Sequence, residues 1–355
     1  MKSFDNTNSE LIHFKSNVDN ENNIYLKNNF NCFFTFIKFL LILLFILFSI
    51  VLFIKINQKF QIEENLEQNK NSEKYNNLEK YEINIYNNIN NNNLTRCSRM
   101  WGNQREFLNG VIRKFKPKKI LEIGVAEGGS SIVILNAIKD IENSHLFSID
   151  LSKNDMIGYC VQNLFQDLLN KWSLYTGNIP AKFLKSIGKN IDMVIIDSGH
   201  YEPGEILDFL LVLPFLKEEA IVIFHDIGNQ ITKSGPKGTR RNWAPYKIFN
   251  IIRGKKIFPS GNNILTNDIG AIILEKSQFK YIHDYFGILG GQWDYFPEEE
   301  HINLIRKFIK IYYDNDCSVM FEETVRFNRE FVKNNPVEVR PLYDSISKQN
   351  FLNKK

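Results

Sequence analysis

From residue 119 onward, short runs of consecutive apolar residues alternate with segments whose apolar positions recur at helical spacing. The runs at 119–123, 145–149, 173–175, 193–196 and 220–224 are rich in Ile, Leu, Val and Phe, and most end in Gly, Asp or His, which predicts five strands. Between them, 130–141, 159–169, 181–187 and 206–213 read as helices, and 106–115 reads as one more ahead of the first strand. Unbroken apolar runs fit strands buried on both faces, and strand–helix alternation fits a parallel sheet. The predicted fold class is therefore α/β, a doubly wound, mostly parallel sheet with helices on both faces. Beyond the fifth strand, 244–252 reads as a helix and 269–274 as a further strand. The segment 299–313 sets Ile302, Ile305, Phe308, Ile309 and Tyr312 on one face, the pattern of a packing helix.

The pattern upstream is different. Residues 1–30 are polar and Asn-rich with no period that would bury a face, which predicts disorder. An almost wholly apolar run then opens at Phe33 and closes at Ile54, broken by Thr35, Lys38 and Ser49. At helical rise it reaches about 33 Å, enough for a hydrocarbon core of about 30 Å. Lys38 is near enough to one end for its stem to snorkel. A cleaved signal would carry a shorter leader and a small-residue cleavage site, and Lys55-Ile56-Asn57 offers none. A single transmembrane helix over 31–56 is the expectation. Lys15 and Lys27 flank it on one side and Lys55, Lys59, Lys70 and Lys74 on the other, a weak bias that places the C-terminal domain in the cytoplasm. Residues 57–95 read as a polar tether or weak coiled coil, with Leu78, Tyr81, Ile85 and Ile89 at helical spacing. The folded domain is expected over 96–275 and a helical extension over 276–355, whose helical tail, with Trp293 and Phe296 before it, either covers a pocket or makes a dimer contact. Asn93-Leu94-Thr95 is a formal glycosylation sequon, given no weight here because such triplets are common by chance.

Net charge is +4 with no Lys/Arg block, so no nucleic-acid partner is expected. Cys32, Cys97, Cys160 and Cys317 are far apart and form no CxxC pair, so neither a zinc ribbon nor a disulfide framework is expected; they read as reduced thiols.

Candidate chemistry gathers at the predicted strand ends, where open α/β sheets bind ligands. The first strand runs into Glu122-Ile123-Gly124-Val125-Ala126-Glu127-Gly128-Gly129-Ser130. Glycines at that turn let a ligand approach the backbone, and the helix beginning near Ser130 offers free N–H groups. The spacing is GxxxGG, not the GxGxxG of a dinucleotide site. The second strand ends at Asp150, placed to accept from two ribose hydroxyls, and the third at Gly177-Asn178. On these residues the stretch 119–226 resembles a class I S-adenosylmethionine-dependent methyltransferase with a Rossmann-like fold. The resemblance implies that Glu122, Gly124, Gly128, Gly129 and Ser130 shape the donor pocket, that Asp150 holds the ribose and that Asn178 flanks the adenine.

The fourth strand ends in Asp197-Ser198-Gly199-His200 and the fifth in His225-Asp226, so two carboxylates and two imidazoles should meet at one mouth. Hard ligands of this sort suit Mg²⁺ or Mn²⁺. This DxxH-then-HD pattern resembles the subfamily of macrocin O-methyltransferase and cephalosporin-biosynthesis relatives. That resemblance implies metal ligation by Asp197, His225 and Asp226, a base at His200, and an acceptor hydroxyl on a sugar, glycan or related small molecule. The loop 235–243 reads equally as a lid over an anionic or sugar acceptor and as a plain solvated loop. A non-catalytic donor-binding scaffold and a nicotinamide-dependent oxidoreductase are the competing readings. Homo-oligomerisation is left open.

Overall fold

The computed structural model describes residues 97, 100, 102–228, 243–259 and 268–335. The expected transmembrane segment, the polar tether and most of the 235–243 loop lie outside the described residues. No helix among those described is long and apolar enough to cross a membrane.

Within 102–335 the described strands form one sheet: β1 (Lys119–Ile123), β2 (His145–Asp150), β3 (Trp172–Thr176), β4 (Ile191–Ile196), β5 (Leu216–His225), β6 (Gly254–Ile257) and β7 (Ile269–Leu274). Their order is β3-β2-β1-β4-β5-β7-β6. The first five are parallel, while β7 runs antiparallel to both β5 and β6. Strands β1 and β4 are buried along most of their length, which explains their unbroken apolar sequence. The chain starts at β1, moves outward to β3, and returns to lay β4 against the other side of β1. That reversal opens a crevice beyond the C-terminal ends of β1 and β4. At the far edge, β6 carries Lys255 and Lys256, side chains that discourage pairing with another chain.

The helices fall into two groups. In the first, α1 (Gly102–Phe115) packs on α2 (Gly129–Ile138), and α2 on α3 (Tyr159–Leu164). The second joins α4 (Pro180–Ile187), α5 (Gly204–Val212), α6 (Trp243–Ile251), α7 (Ile282–Leu289), α8 (Glu299–Tyr312) and α9 (Asn315–Asn334). The C-terminal helices share the core of the sheet: Tyr285, Phe286, Trp293, Ile305 and Phe321 belong to the same buried cluster as Val194 and Phe224. Trp293 is 1% exposed and donates from its indole to the Leu289 carbonyl, so it is a core residue.

The cysteine expectation is corrected. Cys97 and Cys160, 63 residues apart in sequence, are joined by a disulfide with Cα atoms 6.0 Å apart, while Cys317 is free and buried. Local spacing rules detect dithiols made by neighbouring residues. This pair is brought together only when α3 packs beside the start of the domain.

Candidate active site

The turn after β1 is held by backbone geometry that few residues could adopt. Gly124 has φ +91°, and a Cβ there would lie 1.8 Å from the Asp197 carbonyl oxygen, so this turn and the end of β4 touch through bare backbone. Gly124 N–H donates to the Ile149 carbonyl, and Asp197 N–H donates to that of Ile123, which locks β1 between its neighbours. Gly128, at φ +94°, precedes α2 and packs against Gly158 and Val161 at the start of α3. Two backbone bonds tie that wall to the turn, from Gly158 N–H to Ala126 and from Cys160 N–H to Glu127.

Asp150 is buried, and its carboxylate accepts the N–H groups of Val125 and Ala126 on Oδ2 (2.9 and 3.1 Å) and of Ser152 on Oδ1. It thus shapes the same turn whose ligand it is expected to hold. Glu122 is fully buried and accepts from three hydroxyls, those of Ser130, Ser131 and Ser148, each at 2.6 Å. Burial pushes its carboxyl up to about 7, against the pull of those three bonds. Ser130 accordingly spends its hydroxyl on Glu122, and what it and Gly129 offer a ligand is the first turn of α2. Asn178 lies beyond β3, its side-chain oxygen accepting from Ile179 N–H.

At the neighbouring strand ends, Asp197, His200, His225 and Asp226 are brought together. His200 Nδ1 is 2.9 Å from Asp226 Oδ2, and Nε2 is 3.9 Å from Asp197 Oδ1. His225 Nδ1 is 3.3 Å from Asp197 Oδ1 and 3.6 Å from Asp226 Oδ1. His200 and Asp226 hold positive φ, +56° and +58°, a conformation non-glycine residues adopt only under local constraint. Burial by itself would lower the His200 pKa, but hydrogen bonding to Asp226 and Glu205 outweighs it and raises the value to about 10. Burial likewise opposes the charges on Asp197 and Asp226, yet the two imidazoles hold both carboxyls below their ordinary range.

The donor set fits a divalent cation. Asp197, His225 and Asp226 each present a ligand atom within 4.8 Å of the others. His225 Nε2 is buried with no hydrogen-bond partner among the described residues. Two carboxylates and an imidazole suit Mn²⁺ well and Mg²⁺ through the oxygens.

Several residues escaped the sequence reading. Glu205, in the first turn of α5, accepts the His200 backbone N–H at 2.6 Å and lies 3.4 Å from Nδ1. Asp208, one turn on, accepts from Ser198, and burial pushes its carboxyl up to about 7. The Tyr295 hydroxyl closes on Gly199 and Gly204, and Asp294 accepts from Glu202 N–H. Asp268 arrives beside Asp226 because His225 pairs with Ile269 across β5 and β7. Glu205 had a signal, since an acid five residues past His200 falls in the first turn of the next helix, and Asp208 follows one turn later on the same helix. Asp268 and Tyr295 had none.

With this geometry in hand, residues 121–227 match the family described as a methyltransferase domain. No curated protein sequence matches the chain. Among solved structures, the O-methyltransferase TomG of Streptomyces achromogenes, involved in tomaymycin synthesis and bound to SAM, is 15% identical over 55% of this chain and 96% of its own, with TM-score 0.42. An O-methyltransferase from Bacillus cereus in complex with SAH is 13% identical over 55% and 97%, also with TM-score 0.42. A SAH-bound methyltransferase from Podospora anserina is 14% identical over 52% and 87%, with TM-score 0.41.

Proposed function

We propose that this chain is an S-adenosylmethionine-dependent O-methyltransferase that modifies a hydroxyl of a sugar, glycan or related small molecule and is held at a membrane by residues 33–54. The observation that carries the reading is the contact of Gly124 with the Asp197 carbonyl, which sets the donor turn directly beside the cluster of two carboxylates and two imidazoles.

Methyl transfer is an in-line displacement. The acceptor oxygen forms a bond to the methyl carbon, the carbon–sulfur bond breaks, and its electron pair returns to sulfur to give the neutral thioether. The protein's work is to align the oxygen and take its proton. Asp226 and Glu205 grip His200 at Nδ1, which leaves Nε2 facing Asp197 as the atom that accepts the proton. Because its pKa is raised to about 10, His200 is charged near neutral pH and acts as base only from its minor neutral form, so turnover should climb as pH rises toward that value. Asp197, the most exposed member of the cluster, is the group best placed to orient the acceptor hydroxyl. Mg²⁺ or Mn²⁺ held by Asp197, His225 and Asp226 would supply Lewis acidity toward a chelated hydroxyl.

The test has two parts. Calorimetric titration should show S-adenosylhomocysteine binding to the purified protein and NAD failing to bind. Labelled donor incubated with a panel of glycans and small sugars should then give product with wild type, whereas Asp197→Ala loses turnover by at least about a hundredfold and keeps its affinity for S-adenosylhomocysteine. Binding of NAD in preference to S-adenosylhomocysteine, or normal methylation by Asp197→Ala, refutes the reading.

A further inference from the structure

The Cys97–Cys160 bond bears on where the domain works. Both cysteines are buried, at 3% and 0% exposure, and they close together from segments 63 residues apart. Cys160 lies in the first turn of α3, whose backbone braces the donor turn through Gly158 and Cys160. Cys97 is the first of the described residues, five positions ahead of α1 in sequence. The bond therefore fastens the start of the domain to the outer wall of the donor site. Structural disulfides of this kind form in oxidising compartments and are rare where glutathione and thioredoxin keep thiols reduced.

We infer that the methyltransferase domain matures and acts in an oxidising compartment, in a secretory lumen or outside the cell. This replaces the cytoplasmic orientation that the lysine count favoured. Within about 20 residues of the segment, that count is Lys55, Lys59, Lys70 and Lys74 after it against Lys15 and Lys27 before it, a margin of two charges. A covalent link built into the fold is the more demanding constraint. The acceptor class rests on the proposed function; the compartment of the domain does not. In this orientation the acceptor is a hydroxyl on a glycan displayed in the lumen or at the surface. The donor, a permanently charged sulfonium made on the reducing side, has to reach the domain through a carrier, since such a cation does not cross a bilayer unaided.

The full chain, carrying a C-terminal epitope tag and expressed in secretory-competent cells, provides the test. Thiols are blocked in denaturant with a polymer-bearing maleimide, before or after reduction, and the tag is challenged with protease in intact microsomes. The chain has four cysteines, so the inference expects two polymer adducts before reduction and four after it, with a tag that resists protease until detergent is added. A glycosidase-sensitive mass that disappears in N93Q supports the same orientation. Four adducts without reductant, or a tag digested in intact microsomes, overturns it. Titration of S-adenosylhomocysteine into the same oxidised protein reads the donor site independently, so failure of the compartment and failure of the enzyme reading give different results.

Discussion

Glu122 shows how much a single buried side chain can carry at this site. Three serine hydroxyls from α2 and β2 converge on its carboxylate, so one residue joins the donor turn, its helix and the adjacent strand. Burial outweighs those bonds and pushes the carboxyl from 4.5 up to about 7. A group whose folded pKa lies above its unfolded value stabilises the fold at low pH, and that contribution disappears as pH rises through the interval. Between pH 4.5 and 8 the wild type should therefore lose about 3 kcal/mol that Glu122→Gln does not lose. Urea unfolding of both proteins at pH 5 and pH 8 measures the difference, and parallel pH dependences would remove the argument. Gly124 is constrained by space where Glu122 is constrained by charge. No side chain fits between it and Asp197, so the turn after β1 and the end of β4 meet through backbone alone.

At the scale of elements, the wall beside the turn after β1 is a composite. The short helix α3 has six residues, too few to be stable in isolation, and it holds its place through backbone bonds to 126 and 127 and through the Cys97–Cys160 link. A cross-link spanning 63 residues removes chain entropy from the unfolded state equivalent to about 4 kcal/mol in the loop-closure account. The double variant Cys97→Ser/Cys160→Ser should accordingly unfold at lower denaturant than the oxidised wild type, and reduction of the wild type should reproduce most of the shift. Equal midpoints would mean that packing alone secures α3. The acceptor side is assembled similarly. The loop between β4 and α5 is stitched to 294–295 by bonds from Glu202 N–H to Asp294, and from Asp294 and Tyr295 N–H to the Glu202 carbonyl.

The whole molecule adds what no single element contains. Antiparallel β7 inserts between β5 and β6 and delivers Asp268 to the back of the cluster, where its Oδ1 accepts Gly228 N–H at 3.3 Å. Burial, with the charge of Asp226 added, pushes the Asp268 carboxyl up to about 6. Its stabilising share is thus full below its unfolded pKa and lost as pH climbs toward 6. Asp268→Asn should raise the melting temperature above pH 6 by the equivalent of about 1 kcal/mol, allowing for solvent screening, with the gap closing toward pH 4. Thermal melts across that range in chelator decide it. A variant less stable than wild type at pH 8 would show that the Asp268 charge is needed by its neighbours.

Much of this was legible in the chain. Apolar runs marked β1, β4 and β7 most clearly because strands buried on both faces leave no polar alternation to blur them, while half-buried β3 showed only as a short run, and acids at strand ends marked the rim because parallel strands expose their C-terminal tips together. The four-residue β6 was missed, since Lys255 and Lys256 at a sheet edge read as loop. What only tertiary structure decided is contact between residues distant in sequence: Cys97 with Cys160, Asp268 with Asp226, and Tyr295 with Gly199 and Gly204. Local pattern records how a segment meets solvent and core. Which distant segments meet each other is set by how the sheet closes and the helices pack, and a one-dimensional spacing holds no trace of it.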